Sequence, residues 1–187
     1  MYPNLRMTVY AAMLSALIAV GSFVAIPVGP VPIVLQNMFV LLSGLLLGKN
    51  WGLCSVAVYL IAGTVGLPVF AQGKGGMGVL FGPTGGYLLS YPFAVYITGL
   101  VSWKAPTKSG DGGWERIFYD GFASVLGTVA IYAGGVSWLT IWSDLTWFQG
   151  MAWGLFPFLP GDALKIAAAV AIARTVRPII HQKSIAG

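Results

Sequence analysis

The sequence predicts an all-α integral membrane protein, a bundle of six transmembrane helices forming a single membrane domain over residues 1–187. Three observations carry this. Of the 187 residues, 57% are hydrophobic and only 8% are charged, against about 25% charged in an average soluble domain. Apolar runs recur along the whole length, separated by breaks rich in Gly, Pro and polar residues. Spans of about 20 apolar residues with short loops fit about six into such a chain.

The first span, 7–27, follows Arg6. It is longer than the 7–15-residue apolar core of a signal peptide and further spans follow, so it is expected to be retained. "PVGPVP" at 27–32 is too proline-rich to continue a helix. The second and third spans, 33–48 and 51–68, are short and meet at a polar turn, "GKNWG". The fourth, 84–103, ends at the polar loop "APTKSGDGG", and the fifth and sixth occupy 118–142 and 158–176. Small residues recur at helix-packing spacing, as at Ala12 and Ala16 and at Gly44 and Gly48.

Charge sets the orientation. With the N-terminus inside, the inner side receives Arg6, Lys49, Lys104, Lys108, Arg116, Arg174, Arg177 and Lys183, and the outer side receives only Lys74. Both termini are therefore expected in the cytoplasm, with the chain multi-pass in the cell (cytoplasmic) membrane. The net charge of +5 comes from basic residues at the ends of apolar runs. Membrane orientation explains them, and no nucleic-acid partner is expected. Cys54, the one cysteine, lies in an apolar stretch and is expected to be a small core residue. His181 is the only histidine, so no His/Cys metal constellation is available and no cofactor is expected.

In this topology the sixth helix enters from outside, and Asp162 lies ~18 Å above Arg174 along the helix axis. That places it in the outer half of the membrane, with Lys165 one turn deeper on nearly the same face. Asp162 falls in the first turn of its helix, where a carboxylate complements the helix dipole, and capping that turn while pairing with Lys165 is its structural reading. Beyond that, ionisable groups inside a membrane are costly and mark function by default. An acceptor-only carboxylate beside a donor-only ammonium suits a polar small molecule bearing both N–H and C=O. Lys74 lies in the glycine run "AQGKGGMGVLFGPTGGY", 71–87, where backbone N–H groups and a cation favour an anion such as a carboxylate. Gln36 opens the second span level with the outer loops. The aromatics Phe70, Tyr87, Tyr91, Trp138, Trp142, Trp147 and Trp153 lie near the outer surface, either as an interfacial belt or as pocket walls.

Two motif matches carry no function. "GKGGMG" has the G-x-G-x-x-G form but no preceding strand and no acid about 20 residues on. "GPTGG" lacks the lysine of a P-loop, so ATP-driven work would need a partner. No catalytic set is present: Asp162 has no second carboxylate near it, and no Ser–His arrangement exists. An intramembrane acid–base pair of Asp162 and Lys165 stays open as the enzymatic alternative.

"IPVGPVPIVLQNMFVLLSGLLLG" (26–48), "GLPVFAQGKGGMGVLFGPTGGY" (66–87) and "FLPGDALK" (158–165) together resemble the three signatures of the BioY biotin-transporter family, in the same order and spacing. The resemblance implies a substrate-binding S component of an energy-coupling factor transporter, with six helices and biotin bound from outside. A transmembrane coupling protein and two cytoplasmic ATPases would supply the energy; an S component for another vitamin is the alternative. It also implies site residues. Asp162 and Lys165 match the polar pair of the "PGDxxK" motif, which resembles a site for the ureido ring. Gly75, Gly76 and Tyr87 match the glycine-rich loop motif, and Gln36 the glutamine closing the first-loop motif. Some relatives carry arginine directly after "GGY", where Leu88 stands here; Lys74 is then the cation expected for the valerate carboxylate. Ala12 and Ala16 match the small-residue pattern by which the first helix packs on the coupling protein.

Overall fold

The structure, a computed structural model, describes residues 3–27, 30–105 and 113–181. Lys108 and Lys183, used in the charge balance, lie outside the described residues. The chain is built from α1 (Pro3–Phe23), a ribbon of β1 (Ala25–Ile26) and β2 (Ile33–Val34), α2 (Gln36–Thr64), short α3 (Met77–Leu80), α4 (Gly85–Ser102), α5 (Trp114–Trp142), α6 (Trp147–Gly154) and α7 (Leu159–His181). Four helical stretches are long and apolar enough to cross a membrane: Leu5–Phe23, Gln36–Thr64, Trp114–Trp142 and Trp147–Ile180, the last running through α6 into α7. Their outward faces are apolar, with Val9, Met13, Val20, Ile61, Val129 and Leu164 all exposed. That is the surface a lipid-embedded protein presents.

The polar turn expected at 48–52 is a break at one residue. Gly48 has φ 73° and ψ −175° inside α2, a conformation that side chains disfavour and glycine tolerates. A straight 29-residue helix would be about 44 Å long. Instead Gln36 reaches Tyr59, 23 residues on, through a 2.7 Å hydrogen bond, so the two arms fold back on each other. The arms, 36–47 and 49–64, measure about 18 and 24 Å, and α4 about 27 Å. Helices α4 and α5 pack closely where a glycine of each faces an aromatic residue of the other. A Cβ on Gly86 would lie 2.1 Å from the Cβ of Trp138, and one on Gly135 2.2 Å from the Tyr87 ring, the close approach that small residues permit.

Two expectations are corrected. The first helix stops at Phe23 rather than 27, because Ala25 and Ile26 pair with Val34 and Ile33 as an antiparallel ribbon; strands this short leave no alternating pattern to read. Cys54 is exposed, on the outward face of the second arm rather than in the core. Arg177, placed on the inner side by the charge balance, is also buried, 2% exposed. Its guanidinium donates to both oxygens of Asp120 at 2.8 and 3.0 Å and to the Leu45 carbonyl through Nε and Nη2 at 3.1 and 2.7 Å. Ser102 donates to the same carboxylate at 2.6 Å. This cluster clamps α7, α5 and α4 onto the last turn before the Gly48 break.

Candidate functional site

At the opposite end of the bundle from Arg177 lies a cavity of about 350 Å³, at the small end of the ~300–1,000 Å³ typical of small-molecule sites. The loop around the β-ribbon, the start of α2, the 70–84 segment, α4, Tyr132 of α5 and Phe158 all line it. Phe70, Tyr87 and Tyr91 are the aromatics, of those read from sequence, that form its walls. Trp142, Trp147 and Trp153 are each at least half exposed and lie away from it. Trp138 donates its indole N–H to the Gly82 carbonyl at 2.9 Å, tying α5 to the loop.

The loop carrying Lys74 is held by its backbone. The Phe70 N–H donates to the Lys74 carbonyl at 2.8 Å, and that of Gly73 to the Phe70 carbonyl at 3.0 Å. Gln72 adopts the left-handed conformation, φ 63°. Lys74 is exposed and lines the cavity; among the described residues no carboxylate pairs with it. Gly75 and Gly76 do not line the cavity; they shape the loop. A Cβ on Gly75 would lie 2.3 Å from the Leu67 carbonyl oxygen. Gly76 has φ 92°, and its N–H donates to the Gly63 carbonyl at 2.7 Å. Leu88 adds an apolar wall.

Gln36 and Tyr87 both line the cavity, and each is anchored by a polar bond. Gln36 Nε2 donates to the Tyr59 hydroxyl at 2.7 Å, and the Tyr87 hydroxyl donates to the Gly154 carbonyl at 2.8 Å. Asn37, which the sequence did not single out, accepts from the Tyr91 hydroxyl at 2.8 Å.

Asp162 sits in the first turn of α7, as expected. It and Lys165 are buried, 4% and 9% exposed, with Nζ 2.9 Å from Oδ1. The other carboxylate oxygen accepts from the Tyr132 hydroxyl. Of these three residues only Tyr132 lines the cavity. Its ring is edge-on to Tyr87 and tilted against Phe158, with centroids 6.4 Å away in each case. Tyr132 lies 30 residues from Asp162 on a different helix, so no local spacing could have revealed it. Ala12 and Ala16 are exposed on α1 and do not line the cavity.

An apolar-surfaced helical bundle with an aromatic cavity at one end and a buried ion pair behind its wall defines a multi-pass membrane protein with a small-molecule site. The chain belongs to the BioY family, whose model matches residues 2–182. It is 38% identical to the biotin transporter BioY of Thermotoga maritima over 94% of this chain and 98% of that protein. To the probable biotin transporter BioY of Pyrococcus horikoshii it is 36% identical over 89% and 93%. Among solved structures, the S-component for biotin from an ECF-type ABC transporter superposes with a TM-score of 0.84 at 32% identity, covering 93% of this chain and 92% of that one.

Proposed function

We propose that this protein binds biotin on the extracytoplasmic side of the cytoplasmic membrane and serves its uptake as the S component of an ATP-driven energy-coupling factor transporter. The observation that carries this is likeness along nearly the whole chain to proteins named biotin transporters, joined to a cavity whose chemistry suits that ligand. The ureido ring points toward Tyr132 and the Asp162–Lys165 pair, and the thioether ring lies against Phe70, Tyr87 and Tyr91. The valerate carboxylate meets Lys74 at the mouth. Gln36 braces the wall, and Gly75 and Gly76 hold the Lys74 loop.

The whole chain, 1–187, acts as one membrane domain crossing six times. The two arms of α2 each make one short pass, supported by the reversal at Gly48, and both termini are cytoplasmic by the charge balance. A transmembrane coupling protein packs on α1 across Ala12 and Ala16, and two cytoplasmic ATPases drive it. Chemistry on the ligand is not part of this role.

Titration of the purified chain in lipid nanodiscs tests the ligand pose. Lys74→Ala is expected to weaken biotin about tenfold, the scale of a charge-assisted hydrogen bond, and to leave an uncharged biotin amide nearly unaffected. Equal losses for both ligands would remove Lys74 from the carboxylate.

A further inference from the structure

We propose that the end of the bundle opposite the aromatic cavity carries a second site, which holds the headgroup phosphate of an anionic phospholipid. None of its lining residues belongs to the biotin site. Of the role proposed above it uses only the orientation, which puts this end at the inner leaflet.

The site lies beside the break in α2. A cavity of about 470 Å³ opens there between Met7 of α1, the residues around Gly48 and the end of α4. Lys49 and Lys104 both line it, with Asn50, Trp51 and Trp103. Among the described residues no carboxylate lines this cavity or pairs with either lysine. Two ammonium groups around one hollow repel each other, and a shared anion removes that cost. The fold fixes the surroundings. A Cβ on Gly99 would lie 2.4 Å from the Lys49 backbone nitrogen, so α4 meets the start of the second arm in backbone contact. Trp103 packs over Gly48 and donates its indole N–H to the Leu45 carbonyl at 3.3 Å.

A second observation points to a lipid. On α4, Leu89, Phe93 and Tyr96 are 44, 69 and 40% exposed, and Leu100 continues their spacing into the cavity wall. Steps of four, three and four residues put them on one helix face. Lys49 joins the cavity to this face, with its Nζ 5.8 Å from the centre of the Tyr96 ring. From Leu89 to Leu100 the stripe runs about 16 Å, one leaflet's share of the ~30 Å hydrocarbon core. An apolar stripe one leaflet long, ending at two lysines without a carboxylate partner, fits an amphiphile with an anionic head and acyl tails. Indole rings at the junction are what the headgroup boundary favours, and basic pockets between helices on the cytoplasmic side suit anionic headgroups. A soluble acidic partner would use the lysines and leave the stripe uncovered.

The test is native mass spectrometry of the full-length chain, released from micelles holding phosphatidylglycerol and phosphatidylcholine in equal amounts. Wild type is expected to retain phosphatidylglycerol in preference to phosphatidylcholine, whose choline the lysines repel. Lys49→Gln and Lys104→Gln should each lower that preference about 5-fold, and the two together about 30-fold. Arginine at both positions should keep it, and so should Lys74→Gln, which removes the same charge at the other end. Both lysines are exposed, so the glutamine variants are expected to keep the wild-type melting temperature and biotin affinity. Wild type that holds the lipid and binds no biotin would remove the biotin role and leave this site standing. Excess glycerol 3-phosphate should displace no lipid, because it has no tails; displacement would mean a free phosphate site and overturn the lipid assignment. Equal retention of the two lipids by wild type, or an unchanged preference in the double glutamine variant, overturns the proposal. A double variant that keeps the lipid and no longer co-purifies with the coupling protein would give the lysines to a protein partner instead.

Discussion

Asp162→Asn in the full-length chain is expected to weaken biotin binding about 10- to 150-fold, the range for a hydrogen bond involving a charged group. The substitution keeps the shape of the side chain and removes its charge. Lys165, 9% exposed, is then left as an unpaired buried cation close to the end of the cavity where the ligand brings its own N–H donors. The same loss of pairing lowers the melting temperature, so affinity and folding must be separated. Asp162→Asn combined with Lys165→Gln does this, because removing both members of a buried pair costs far less stability than removing one. The double variant should regain most of the melting temperature and none of the affinity. Recovery of wild-type affinity in the double variant would show that the pair serves folding alone.

The second large effect lies at the other end of the molecule. Arg177→Ala is expected to destabilise the protein by about 3–5 kcal/mol, the cost of breaking a buried ion pair from one side. Asp120, 1% exposed, loses its bidentate partner, and the Leu45 carbonyl loses two guanidinium donors beside the Gly48 break. Trp103 still donates to that carbonyl at 3.3 Å, which leaves one bond in place. Arg177→Lys should recover only part of the loss, since an ammonium cannot make the planar two-pronged contact with Asp120 while also reaching Leu45. Thermal unfolding in detergent reads both variants. A melting temperature unchanged in Arg177→Ala would mean that the cluster does not clamp α7 to the break.

These two ends of α7 also show how far the sequence could be read. The membrane class was legible because charged residues are too scarce to cover a water-facing surface. The ion pair of Asp162 and Lys165 was legible because both members lie on one helix, three residues apart, where periodicity fixes their shared face. The buried pairing of Arg177 was not legible because counting basic residues at span ends cannot see an acid 57 positions away; Asp120 comes to it only once α5 and α7 pack. Tyr132 escaped for the same reason, as did Asn37 with its bond to Tyr91. The Lys74 loop was legible as glycine-rich, but the separate duties within it were not. Only the fold puts Gly75 against the Leu67 carbonyl and leaves Lys74 at the cavity mouth. Helix α6 carries a signal readable in the sequence: Thr146 and Gln149 form a capping box, the spacing that marks a helix start.

Biotin capture is tested most directly by mass spectrometry of the ligand released from the full-length chain, purified in mild detergent from cells grown with a mixture of vitamins. Unmodified biotin in the wild-type fraction, and its loss from Asp162→Asn, is the expected result. Release of a different vitamin, or of a chemically altered biotin, would contradict it.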